Sequence, residues 1–288
     1  MHTIQVILVP YDSGHRNLRM GSGPEYFVNN GLGQVLRADG YEVSVETVES
    51  EAEFRAEVQT QFDLYRSLAK RVSEARQKGR FPLVLSGNCG ATVGVIAGAG
   101  TKPPGVIWFD THGECNTPET TTSGFLDGMG LAVATGLCWK KLATSIPGFR
   151  SIPGSNILHI GGHDFDEGER ERLKGTGALV INSAMLEQTG IRKALLPVIA
   201  EFRHRVEEVH LHIDLDALNP AEAPANQYVT ESAGLSLEEM GETIELIKET
   251  LPIASATIAS YDPRFDPQGK TLRAGFKLIK QILQDWMH

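Results

Sequence analysis

Two apolar, β-branched runs, Val106-Ile107-Trp108-Phe109 and Val209-His210-Leu211-His212-Ile213, each end in carboxylates. The first leads into Asp110-Thr111-His112-Gly113-Glu114 and the second into Asp214-Leu215-Asp216. Both runs read as strands. Their acids put charge at the carboxyl rim of a sheet, where open α/β sheets bind ligands. Side chains two apart on a strand face the same way. If the strands run on, Asp110, His112 and Glu114 converge, and Asp214 and Asp216 do likewise. Five hard or borderline ligands at one rim predict a divalent-metal site.

The remaining pattern alternates strand and helix. Strands are expected at Ile4–Val9, Tyr41–Val45, Phe81–Ser86, Asn156–Ile160, Ala178–Ile181 and Ile253–Ile258. Phe54, Val58, Phe62, Tyr65, Leu68 and Val72 recur at helical spacing and predict one long amphipathic helix. Pro24 sits at an early helical position. A small-residue helix is expected after Gly87-Asn88-Cys89-Gly90, and a long polar loop over Gly113–Asp127. Further helices are expected over Glu167–Leu173 and Ile191–Phe202. Ser236-Leu237-Glu238-Glu239 reads as a capping box before the stripe Leu237, Met240, Ile244 and Ile247. Leu272, Phe276, Ile279 and Leu283 mark a closing helix. Such alternation predicts a mostly parallel sheet with helices on both faces, a three-layer α/β/α architecture. With no internal repeat or linker in view, residues 1–288 read as a single domain.

Composition narrows the function classes. The chain has 288 residues, 41% of them hydrophobic, and a net charge of −9 with no basic stripe, so nucleic acid is not an expected partner. No run approaches the length of a membrane span. The N-terminus enters a strand directly, without a signal-peptide pattern. Cys89, Cys115 and Cys138 are odd in number and include no CxxC pair, so no disulfide framework is expected and a reducing cytoplasm is the default. Cys115 and Cys138 read as packing residues, and His210 and His212 as structural residues alternating with the core face.

At this point the motifs resemble a known family. The stretch from Asp110-Thr111-His112-Gly113-Glu114 through Asn116-Thr117-Pro118 to Ser123-Gly124-Phe125-Leu126-Asp127-Gly128 resembles the arginase pattern, in which DAHxD leads into NTPxTTxSGNLHG. Asp214-Leu215-Asp216-Ala217-Leu218-Asn219-Pro220 resembles DVDxLDP. Ser86-Gly87-Asn88-Cys89-Gly90 stands in the place of GGDHS, and Asp164-Phe165-Asp166-Glu167-Gly168-Glu169 resembles RDxDxGE. The chain is thereby identified as a member of the arginase–agmatinase (ureohydrolase) superfamily. The resemblance implies an arginase-like fold and a site for two manganese ions held by Cys89, Asp110, His112, Glu114, Asp214 and Asp216. It implies a hydrolase that cleaves a linear amidine or guanidine C–N bond of a small amino-acid substrate. It also implies a homo-oligomer, a trimer or hexamer.

Two ligand positions depart from the pattern. Cys89 stands where the family has His, and Glu114 where it has Asp. Cysteine favours zinc, iron or nickel over manganese relative to imidazole. The family's anchors for α-amino and α-carboxylate groups correspond to Asn116, Ser123 and Asp166, all of retained type. At the guanidinium end, Asp127 replaces a proton-shuttling His, Phe125 an Asn, and Ser260 a Glu that pairs with the guanidinium. The resemblance thus casts Glu114 and Asp127 as the catalytic residues. Losing a carboxylate that faces a guanidinium weakens a strong kind of pair, so a modified arginine such as N-hydroxyarginine is expected over arginine. Cys in this slot is similar to the hydroxyarginine-hydrolysing branch. The alternatives are an arginase, a formiminoglutamate hydrolase, or a metal-poor homologue without catalysis.

Overall fold

A computed structural model of the chain describes residues 2–51, 53–100, 102, 104–228, 233–284 and 286. Eight strands form one sheet: β1 (Thr3–Val9), β2 (Glu42–Thr47), β3 (Phe81–Ser86), β4 (Gly105–Phe109), β5 (Ile157–Gly161), β6 (Leu179–Asn182), β7 (Val209–Asp214) and β8 (Ile253–Ala259). Their order is β2-β1-β3-β8-β7-β4-β5-β6, and every pairing in the sheet is parallel. The last two strands in sequence therefore fill the centre. β3, β8, β7 and β4 are neighbours, and their carboxyl ends meet at one rim.

Helices cover both faces, as doubly buried parallel strands require. Against one face lie α1 (Gly23–Asn29), α2 (Leu32–Ala38), α9 (Ile191–Phe202), α10 (Leu237–Lys248) and α11 (Lys270–Leu283). Against the other lie α3 (Glu57–Gln77), α4 (Thr92–Gly98) and α5 (Gly130–Ala134). Strand alternation divides the core between them: on β4, Ile107 and Phe109 join the first cluster while Val106 and Trp108 join the second. On β7 the first face is the apolar set Val209, Leu211 and Ile213, but the second carries buried His210 and His212. The capping box forms in full, with Ser236 accepting from Glu239 N–H and the Glu239 carboxylate accepting from Ser236 N–H.

Some local expectations shift. The long helix starts at Glu57, and Phe54 lies outside it, stacked on His15 with ring centroids 4.3 Å apart. α5, α6 (Lys140–Ala143) and α8 (Ser183–Thr189) were not legible in the sequence. At four to seven residues they are too short for a helical period to register. α7 (Glu169–Gly175) begins two residues later than its pattern, behind Gly168 in a left-handed conformation.

Candidate metal centre

The four central strands deliver the site. Cys89 follows β3, Asp110 follows β4, Asp214 ends β7 and Ser260 follows β8. The two acidic clusters do meet at this rim, but not by continued strands. β4 stops at Phe109 and β7 at Asp214. Asp110 ends its strand by accepting His112 N–H at 2.7 Å, and Asp214 does the same for Asp216 N–H at 2.8 Å. Each acid caps its own turn, and that turn carries the next ligand round to the same side. Glu114 is brought in by a left-handed backbone at φ +51°. Its carbonyl accepts from Leu131 and Ala132 at the start of α5, which fixes that unusual conformation. Gly113 is required beside it, because a Cβ there would stand 2.6 Å from the Glu169 carboxyl carbon.

The six family-slot residues converge. Among the described residues, Asp110, His112 and Glu114 offer ligand atoms within 4.8 Å of one another, as do Asp110, Asp214 and Asp216. Cys89 Sγ lies 2.8 Å from Asp214 Oδ2, which also accepts from Ser260 Oγ at 2.6 Å. His112 Nδ1 stands 3.4 Å from Asp110 and 3.5 Å from Asp216. Trp108 Nε1 donates to Asp110 Oδ2 at 2.8 Å, and Asn226 Nδ2 to Asp216 Oδ2 at 3.2 Å.

Above this floor is a cavity of about 420 Å³. Among the described residues, seven carboxyl side chains line it and no lysine or arginine does. Burial raises the Asp110, Glu114 and Asp214 carboxyls above their usual range, and neighbouring acids push the same way. Burial also raises the Cys89 thiol, with Asp214 adding to it. Burial would lower His112, but Asp216 and Asp110 outweigh it and hold the imidazole well above its ordinary value. Glu114 Oε2 and Asp216 Oδ1 are buried with no hydrogen-bond partner among the described residues. Buried oxygens are normally satisfied. Crowded carboxyls with spare lone pairs fit divalent cations, which would supply both the missing partners and the opposing charge.

The substrate-side residues lie around the same cavity. Asn116, Ser123 and Asp166 all line it, and Asn116 Nδ2 donates to Asp166 at 2.7 Å. Glu169 braces them, accepting from Cys115 N–H and Asp166 N–H. Asp127 also lines the cavity, but both its oxygens are engaged: it accepts from Asn88 Nδ2, Cys89 N–H and Gly90 N–H at 2.7–3.1 Å. Burial brings its carboxyl up to about 7, while these donors oppose the rise. The contacts tie Asp127 to the turn that presents Cys89. Ser260, at φ +65°, is likewise turned inward to Asp214. Phe125 and Tyr228 face each other at the mouth, 5.5 Å between centroids. Asn88 falls inside a quoted motif without a role of its own, and Asn226, Thr92 and Tyr228 fall outside the motifs. Each acts through partners distant in the chain, which local sequence does not show.

Comparison with known proteins agrees with this geometry. The profile of the Arginase family matches residues 2–284. An arginase of Bacillus caldovelox is 30% identical over 295 residues, covering 98% of each chain. The solved arginase structure from Bacillus subtilis superposes with a TM-score of 0.89 at 29% identity, covering 99% of this chain and all of that one. The formimidoylglutamase of Bacillus subtilis shares the fold at 17% identity and a TM-score of 0.76, covering 99% of this chain and 87% of its own. A match over the whole length, a common fold and a rim built from the family's own motifs make this chain a member of the arginase family, the metal-dependent amidinohydrolases.

Proposed function

We propose that the chain hydrolyses a guanidino or amidino α-amino acid with two divalent ions held by Cys89, Asp110, His112, Glu114, Asp214 and Asp216. The observation that carries this reading is the convergence of those six side chains under a cavity lined by acids, with buried oxygens of Glu114 and Asp216 lacking partners. Manganese suits the two oxygen-rich groups of ligands. Bound there, the ions would supply a water that ionises near neutral pH and would stabilise negative charge on its oxygen. Glu114 would take up the proton of the attacking water and pass it to the leaving nitrogen. Asp127 is assigned to positioning rather than proton shuttling, because its oxygens already bind the Cys89 turn. Asn116, Ser123 and Asp166 hold the substrate's α-amino and α-carboxylate groups.

The side-chain end separates two substrates. Ser260 offers no carboxylate to a guanidinium, and its hydroxyl is spent on Asp214. This favours a less basic group, such as that of N-hydroxyarginine. The arginases among the relatives favour plain L-arginine as the second reading. Metal-loaded protein should release urea or a substituted urea, and side-by-side kinetics with L-arginine, N-hydroxyarginine, agmatine and formiminoglutamate rank the candidates. Turnover of L-arginine matching or exceeding that of N-hydroxyarginine rejects the preference. No turnover of any of them by metal-replete protein rejects catalysis in favour of a binding role. We also propose a homo-oligomer in a cytoplasmic setting, with sedimentation of the native protein as the test. Among the described residues no helix is long and apolar enough to cross a membrane.

A further inference from the structure

His212 stands apart from the other buried histidine on its strand face. His210 has partners on both ring nitrogens, Ser255 at 2.9 Å and Thr257 at 3.2 Å. His212 has Thr92 Oγ1 on Nδ1 at 2.7 Å, while its Nε2 is buried without a partner among the described residues. The ring is fully enclosed and stacks on Trp108, with centroids 3.8 Å apart. A His212 nitrogen, the Cys89 sulfur and an Asp110 carboxylate oxygen lie within 4.8 Å of one another.

We propose that Cys89, Asp110 and His212 form a site for a borderline-soft divalent ion of the zinc type, two residues deeper along β7 than the carboxylate floor. The inference rests on the metal-dependent reading above and specifies which donors, and which class of ion, occupy one end of the site. One sulfur, one imidazole nitrogen and one carboxylate oxygen form a donor set suited to zinc, with a fourth position left open. Zinc bonds of about 2.0–2.3 Å set tetrahedral ligands about 3.5 Å apart, so small inward movements close the group. The supporting contacts are those that metal-ligating side chains use. Thr92 holds the His212 ring through Nδ1, leaving Nε2 without a partner among the described residues, and Trp108 donates to Asp110. Asp110 belongs to all three groups of ligands, so the deeper donors share a carboxylate with the oxygen-rich ones. The replacement of the family's histidine by Cys89 is then matched by an imidazole arriving from the next strand but one.

The test uses full-length metal-free protein titrated separately with zinc and manganese. X-ray absorption of the zinc-loaded wild type should show one sulfur near 2.3 Å together with imidazole scattering. Zinc affinity, read by competition with a chromophoric chelator, should fall at least about tenfold in His212→Asn and in Cys89→Ser. Manganese binding to His212→Asn, followed by its paramagnetic resonance signal, should stay within about threefold of wild type, since the hard ligands are untouched. Zinc bound without sulfur in the wild type overturns the proposal whether or not the variants fold, as does unchanged zinc affinity in a folded His212→Asn. If manganese binds while zinc shows no sulfur, the deeper site fails and the amidinohydrolase reading stands. If neither ion binds folded protein, both fail.

Discussion

The floor of the cavity is made by the ends of four adjacent strands, whereas its mouth is made by the segments 116–128 and 164–169 and by Tyr228. Asp110, Asp214, Asp216, Cys89 and Glu114 are between 0 and 7% exposed. Ser123, Asp164 and Asp166 are exposed. On the floor, hydrogen bonds link the ends of different strands, as in Cys89 to Asp214 and Ser260 to Asp214. At the mouth they stay mainly local, as in Thr117 to Thr120 and Phe125 to Ser123. The floor is therefore fixed by the sheet and crowds carboxyls that a bound cation would offset. The mouth is positioned by loop chemistry and can vary without disturbing the fold. Floor changes should act on metal retention and turnover, and mouth changes on substrate affinity and choice.

The largest expected effect is at the shared ligand. Asp110→Ala, at the carboxylate common to all three ligand groups, should lose bound metal and cut kcat by about a thousandfold or more, on the scale of several kcal/mol of metal-ion catalysis. Retained metal with retained kcat would break the division at its strongest point. Chelation of the native protein comes next. Stripping the ions leaves several buried carboxyls facing one another, and ligand linkage at about a hundredfold over Kd is worth roughly 2.7 kcal/mol. The melting temperature should drop by several degrees and recover on adding manganese back. An unchanged transition means that the floor is stable without cations.

Ser260 lies where floor and mouth meet, and Ser260→Glu sharpens the boundary. Adding a carboxylate toward the substrate's side-chain end should raise the ratio of L-arginine to N-hydroxyarginine turnover by roughly tenfold, equivalent to about 1.4 kcal/mol. No movement in that ratio means that the substrate's side-chain end is held elsewhere. The smallest effect is at the rim. Ser123→Ala should raise KM by a few-fold with kcat nearly unchanged, as for the loss of one hydrogen bond of about 1 kcal/mol made equally in ground and transition states. A fall in kcat at constant KM would move Ser123 from anchoring to chemistry.

The same division describes what could be read from the sequence. The strands that build the floor announce themselves, because doubly buried parallel strands are continuous apolar runs and their terminal acids stand out against them. Asp110 and Asp214 were visible for that reason. The path that brings Glu114 and Asp216 to the same side was not. Continued strand alternation would have sufficed on paper, yet the chain uses Asx turns and a left-handed Glu114 instead. Those depend on contacts such as the Glu114 carbonyl at α5, a helix too short to show a period. His212 read as structural, since an imidazole on a buried strand usually finds partners for its nitrogens. Only the three-dimensional arrangement separates it from His210, through Thr92 on one side and an unpartnered nitrogen on the other. Asp127 kept its place in the motif, but its engagement with Asn88, Cys89 and Gly90 arises from a turn 37–39 residues away.

The account stands on cations occupying the floor. Crystals of the full chain grown with manganese and measured on both sides of the manganese absorption edge test this most directly. The account predicts anomalous peaks at the carboxyl ends of β4 and β7, within bonding distance of Asp110, His112, Glu114, Asp214 and Asp216. A fully ordered site whose carboxylates carry no anomalous peak at saturating manganese, or peaks found only away from this rim, would contradict it.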